Sequence, residues 1–262
     1  LSKLFGKTMT EIADALFPGF EPETRYEIMA GCMRSEHAFL EKDPCRIAYP
    51  GVVETLEKLF TEAISEPSVA ALSIGTRPDC LPDEVIALLE RLNRTKPVWV
   101  ELGLQTIHEE TAHDIRRGYG LSVYEDALRR LKAAGITVIV HVILGLPGES
   151  RERMLQTIDY LSGVHRPDGV KLQLLHVLEG TDLAQDWREG KVPVMEPEEY
   201  YDLLAQCLRR LPPDMVIHRL TGDGPKRILL APLWTGDKKR VLNDLNRELK
   251  RQNVRQGACY RK

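Results

Sequence analysis

The sequence predicts an α/β chain in which five or six parallel strands form an open partial barrel or a doubly wound sheet. A helical N-terminal segment over residues 1–66 precedes this strand-bearing body, 67–237, and a basic tail over 238–262 follows it. Three observations lead there. From Val69 onward, short apolar runs alternate with stretches of helical spacing, the rhythm of repeated parallel βα units. The first quarter shows helical spacing only. Polar, chemistry-bearing side chains fall about one to a strand, near the carboxyl end where parallel α/β folds place their sites.

Taken in order, Leu1 to Phe17 is amphipathic and stops at Pro18-Gly19, Glu23 to Lys42 carries apolar positions at helical spacing, and Val52 to Ile64 is a third helical stretch. Val69 to Gly75 is the first strand, followed by the turn Thr76-Arg77-Pro78-Asp79 and a helix from Asp83 to Asn93 that Pro82 is placed to open. Val98 to Leu104 is the second, an apolar run that reads as buried on both faces, with helical spacing after it through Arg117 and again from Tyr124 to Ala134. Gly135 is placed as the C-terminal cap of that helix. Ile136 to Leu144 is the third strand, interrupted only by His141, and runs into Gly145-Leu146-Pro147-Gly148-Glu149-Ser150 before a helix to Leu161. Gly169 to Val177 is the fourth, with helices near Leu183–Glu189 and Glu198–Leu211 after it. Met215 to Leu220 is the fifth, and Ile228 to Leu233 a short sixth.

Composition narrows the function. Charged residues make up 29% of the chain and the formal net charge is -3, which excludes a polycation that would hold nucleic acid by bulk charge. The tail from Lys238 is the exception, with nine Lys and Arg against Asp244 and Glu248. No apolar run could span a bilayer and no secretory leader opens the sequence, so the chain reads as cytoplasmic with no membrane partner. Five scattered cysteines, Cys32, Cys45, Cys80, Cys207 and Cys259, suit reduced thiols or metal ligands better than a disulfide framework. Cys80 and Cys207 read as packing residues.

The candidate site gathers at the strand ends: Arg77 and Asp79, Glu101 and Gln105, His141, Lys171, Gln173 and His176, and His218 with Arg219. A carboxylate inside an apolar strand, as at Glu101, is costly without a purpose or a partner. Ile143-Leu144-Gly145-Leu146-Pro147-Gly148-Glu149 is a glycine-bearing strand-to-helix turn that suits either a plain turn or close approach of a nucleoside. Arg77 and Asp79 could meet a ligand or simply pair with each other. His141, His176 and His218 divide in the same way between site roles and satisfied core histidines, and none has zinc-binding spacing.

Five ordered blocks then match a known pattern: Ser73-Ile74-Gly75-Thr76-Arg77-Pro78-Asp79-Cys80, Glu101-Leu102-Gly103-Leu104-Gln105-Thr106, His141 through Glu149, Lys171-Leu172-Gln173-Leu174-Leu175-His176, and Leu230-Ala231-Pro232-Leu233-Trp234. In order and spacing they resemble a bacterial family of radical S-adenosylmethionine (SAM) proteins of the YhcC-like type, related to the catalytic domain of Elongator subunit three. The resemblance implies a partial (β/α)6 TIM-type barrel, a [4Fe-4S] cluster, an electron donor, and SAM cleaved to a 5′-deoxyadenosyl radical. It makes Arg77, Asp79, Glu101, Gln105, His141, Ile143, Gly145 and Leu146 cofactor-binding residues. Lys171 and His176 become the catalytic candidates, and Cys32 and Cys45 the metal ligands. It also points to RNA, such as tRNA, as substrate; the basic tail, by its charge, reads either as a solvated helix face or as the element that docks RNA phosphates.

The chain departs from that pattern at the cluster. Such enzymes hold it with three thiolates, leaving one iron open to SAM, yet only Cys32 and Cys45 lie in the corresponding region, and Ala48 stands where a C-x-x-C pair would close. A third donor would have to come from elsewhere, for example His37. Two readings follow: a radical SAM enzyme, or a non-catalytic barrel of the same descent that keeps a nucleoside- or RNA-binding face without the cluster.

Overall fold

The computed structural model describes residues 19, 21–25, 27, 51–163, 166–222 and 224–260, and the chain divides into two compact units, Leu1–Val53 and Glu54–Lys262. In the first unit residues 22–25 are helical, as the spacing there predicts; Cys32, His37, Cys45 and Ala48 lie outside the described residues.

The second unit is built on one parallel sheet of five strands: β1 (Leu72–Thr76), β2 (Val98–Gln105), β3 (Thr137–Leu144), β4 (Gly169–Leu174) and, beyond a two-residue strand β5 (Val177–Leu178), β6 (Val216–Arg219). Their spatial order, β1-β2-β3-β4-β6, follows the chain without reversal. A doubly wound sheet requires a reversal of strand order, so this is the partial-barrel alternative. The sixth expected strand is real but displaced: β7 (Leu229–Ala231) pairs antiparallel with β5 in a separate ribbon.

Around the chain run α1 (Val52–Ser65), α2 (Asp83–Asn93), α3 (Glu109–Asp114), α4 (Leu121–Ala133), α5 (Arg151–Leu161), α6 (Asp182–Arg188), α7 (Pro197–Arg210) and α8 (Lys238–Arg251). Pro82 is the residue from which α2 starts, and Gly135, at φ +70°, follows the end of α4. Both are where backbone preference puts them, because proline suits a helix start and glycine the left-handed turn that ends one. No described helix is long and apolar enough to cross a membrane.

The core lies between helices and sheet. Val98, Val100, Leu102 and Leu104 of β2 and Val138, Val140, Val142 and Leu144 of β3 are all at most 1% exposed, packed on the side where α2, α4 and α5 bury Leu88, Leu128 and Ile158. The reading of β2 as buried on both faces is corrected. Its alternate residues Trp99, Glu101, Gly103 and Gln105 are only partly covered, because five strands do not close a barrel around them. That half-open inner face carries the candidate site.

Candidate functional site

Strand register decides which side chains meet. In neighbouring parallel strands, paired residues point to the same side. Gly103 stands beside His141 and His141 beside Lys171, so Glu101, His141 and Lys171 all point inward from three adjacent strands. The Glu101 carboxylate accepts hydrogen bonds from Lys171 Nζ at 2.5 Å, His141 Nε2 at 3.0 Å and, from β1, Ser73 Oγ at 3.0 Å. On the other side of the imidazole, Gln173 Nε2 donates to His141 Nδ1 at 3.1 Å, which leaves the proton on Nε2. One layer of hydrogen bonds thus runs across four strands.

Its electrostatics follow from burial and pairing. Burial pushes the Glu101 carboxyl up, but the hydrogen bonds from Lys171, Ser73 and His141 outweigh it and hold the group at about 2. Burial lowers His141 below its ordinary 6.5 against the opposing pull of Glu101. At neutral pH Glu101 is therefore a carboxylate and His141 a neutral imidazole.

Above this layer β2 ends in an irregularity between Gly103 and Gln105, and Gln105 takes φ +66°. Arg117, whose side chain is 1% exposed, holds this bend: its Nη1 donates to the carbonyls of Leu104 and Thr106. The Tyr119 hydroxyl donates to the Gly103 carbonyl. A side chain at Gly103 would stand 3.1 Å from that hydroxyl, which is why glycine is there. Gln105 Oε1 is buried with no hydrogen-bond partner among the described residues. Such an acceptor costs about 1–3 kcal/mol unless something donates to it.

The other sequence candidates fall out differently. Arg77 and Asp79 pair with each other through Nε at 2.9 Å and Nη2 at 2.5 Å, while Arg77 lies over the Tyr119 ring at 5.4 Å. They fix a turn. Ile143, Gly145 and Leu146 do sit at the carboxyl end of β3, where half-buried Gly145 is flanked by Leu174 and Met195 and Leu146 is 4% exposed. His176 lies under the Gly222 and Gly224 backbone, where added Cβ atoms would stand 3.0 and 3.1 Å from its ring. Cys80 is exposed, which corrects its reading as a packing residue; it ends the short 3-10 turn Pro78–Cys80 at the surface. Cys207 is buried as expected, its thiol pushed up to about 12 by burial. Cys32 and Cys45 lie outside the described residues.

The sequence reading missed Ser73, Tyr119 and Arg117. Alternation along β1 from Ser73 would have flagged the first. Nothing local marks the others, which act on β2 from a loop. A cleft of about 520 Å³ lies away from the strand ends, between α7 and α8, with Tyr201 and Trp234 in its lining.

Comparison with known proteins agrees with this architecture. The radical SAM superfamily model matches residues 46–161 and the radical SAM C-terminal domain model residues 167–251. The chain is 38% identical over 210 residues to the uncharacterized protein YtqA of Bacillus subtilis, covering 80% of this chain and 65% of that one. It is 36% identical over 212 residues to the protein YhcC of Escherichia coli, covering 80% and 68%. It therefore spans about two thirds of these relatives' length. Among solved structures, an N-terminally deleted archaeal Elp3 from Methanocaldococcus infernus superposes with a TM-score of 0.64 at 25% identity, covering 71% of this chain and 43% of that one. Two family models matched one after the other, over a parallel sheet whose polar residues gather on one inner face, establish that the chain belongs to the radical SAM superfamily.

Proposed function

We propose that the inner face of the sheet binds S-adenosylmethionine and that this chain does not itself supply a three-thiolate cluster. The family normally uses both a [4Fe-4S] cluster and SAM, and the two groups fare differently against the residues present. The sequence contains no C-x-x-C pair, and among the described residues no three His, Cys, Asp or Glu side chains come together as a metal site. The donor set does not fit the cluster.

SAM finds better support, and the observation that carries it is the unpartnered buried Gln105 Oε1, whose amide stands against Gly103, the residue paired with His141. Gln105 accepts a hydrogen bond from the ligand, Arg117 holds it in place through the strand-end carbonyls, and His141 offers only the face of a neutral ring, since Glu101 and Gln173 occupy its two nitrogens. When bound, SAM supplies an activated sulfonium centre. Calorimetry with SAM on metal-free protein is expected to show saturable binding that Gln105→Leu weakens about tenfold, the effect of about 1.4 kcal/mol. Absence of binding to folded wild type would overturn the reading. The radical enzyme is the second reading, favoured by Cys32 and Cys45 and by the matched superfamily model. Anaerobic reconstitution with iron, sulfide and reductant that yields 5′-deoxyadenosine would establish it in place of the first.

RNA, such as tRNA, is the proposed macromolecular ligand, with α8 as its docking helix. Support comes from charge alone: Val241 and Leu245 anchor the helix, and Lys239, Lys250 and Arg247 stand on its outer side with Asn243 and Asn246. Arg247 and Arg251 are tied to Asp244 and Glu248, so much of the arginine charge is already neutralised within the helix. Binding of bulk tRNA is expected to weaken with added salt, and Lys239→Ala with Lys250→Ala to flatten that dependence. Equal binding by wild type and variant at low salt would remove α8 from the contact.

A further inference from the structure

The inner face carries a cation that no described residue neutralises. Between β4 and β6 the register slips: Val170 pairs with Ile217, but Lys171 pairs with Arg219, so His218 is the extra residue of a bulge. A bulge places consecutive side chains on one side of the sheet and is a common way of aiming a residue at a site. Here it turns both His218 and Arg219 inward. The His218 ring meets inward-facing Trp99 edge to face, with centroids 6.0 Å apart, and Arg219 shares the side of its neighbour Lys171. Gly169 makes the arrangement possible, because a Cβ there would lie 2.6 Å from the His218 ring.

The charges then do not balance. Lys171 and Arg219 face one strand carboxylate, Glu101, and Glu101 is taken by Lys171, His141 and Ser73. Arg219 is near enough to His141 to act on its titration, yet makes no hydrogen bond or ion pair among the described residues. A planar guanidinium whose donors no described residue takes, half-buried beside an imidazole, matches the oxygens of a carboxylate or phosphate.

We propose that Arg219, aimed inward by the bulge at His218, is the receptor for an anionic oxygen group, carboxylate or phosphate, of the molecule bound at this face. The inference rests on the site described above but not on SAM being its ligand. Trp99, beside His218, is a built-in reporter.

The test titrates wild type, Arg219→Gln and Arg219→Lys with inorganic phosphate, following tryptophan emission with Trp99→Phe as the control for its origin and calorimetry for affinity. Two ligand pairs, SAM with decarboxylated SAM and AMP with adenosine, separate the source of the anion. Phosphate is expected to shift Trp99 emission in wild type, with affinity falling at least tenfold in Arg219→Gln and partly kept in Arg219→Lys. The ligand pair whose preference for its anionic member collapses in Arg219→Gln identifies the source.

Wild-type phosphate affinity in Arg219→Gln, with both preferences unchanged, would overturn the proposal. So would a wild type whose calorimetry and Trp99 emission are both blind to phosphate. If wild type takes phosphate at Arg219 but no SAM, the SAM reading fails and the anion site stands. If SAM binds regardless of the residue at 219 and phosphate gives no response, the anion site fails and the SAM reading stands.

Discussion

Glu101 shows how one residue can be both a liability and an organising centre. Alone inside an apolar strand its charge would be expensive, but Lys171, His141 and Ser73 each donate to it. Removing only the carboxylate charge leaves the Lys171 ammonium, 12% exposed, without its partner. Glu101→Gln should therefore destabilise the fold by about 3 kcal/mol in urea denaturation, and adding Lys171→Met should recover much of that loss. Additive losses in the double variant would mean that the two groups are not coupled. The same residue sets an acid limb. Its folded value of about 2 lies below the ordinary 4.5, so the folded state binds fewer protons than the unfolded state across that window. The stability it confers is complete above pH 4.5 and lost as pH falls toward 2. His141 and His218, both lowered by burial from 6.5, add a milder loss as pH drops below that value. Stability followed against pH should show both limbs, and Glu101→Gln should erase the lower one.

At the scale of elements, strand β2 is asymmetric. Its even-numbered residues are core and its odd-numbered residues are site, so substitutions on its two faces should have different consequences. Leu102→Ala is expected to cost about 2–5 kcal/mol of stability, measured by denaturant midpoint, while leaving the tryptophan environment at Trp99 unchanged. Gly169→Ala should act through β6 instead. Its methyl would meet the His218 ring and lie 3.0 Å from the Val216 carbonyl, so either the ring or the strand must move. A loss of about 1–3 kcal/mol with a shifted Trp99 emission is expected, and His218→Ala in the same chain should restore only the part due to the ring. Unchanged emission in Gly169→Ala would show that His218 does not lie against Trp99.

For the whole molecule, the sequential strand order is the deciding feature. It puts the βα connections on one side of the sheet, each crossover following the same hand, and leaves the other side half-open. The strand-bearing body forms a compact unit from Glu54 onward. Residues 51–262 are therefore expected to unfold in one cooperative transition within a few degrees of the 262-residue chain. Loss of a cooperative transition in the shortened chain would show that the first 50 residues are needed to complete the body.

Much of this molecule is legible in its residues. Alternating strand and helix texture specifies the α/β class, and the polar residues of β2, β3 and β4 can be placed on one face by counting alternate positions from Glu101, His141 and Lys171. Pro82 and Gly135 mark helix ends because their backbone preferences are local. Tertiary structure decided what depends on distant neighbours. Arg77 could meet a ligand or Asp79, and only the fold showed the pair. Gly145 could border a nucleoside or simply turn the chain, and only the fold showed that Leu174 and Met195 flank it. The segment near Leu229 is the strand its residues predict, yet it belongs to a different sheet, because pairing partners are chosen by register and packing rather than by local propensity. The bulge at His218 is the clearest case. Alternation from Ile217 would have turned Arg219 away from His218, and only the slipped pairing with β4 brings both to the inner face.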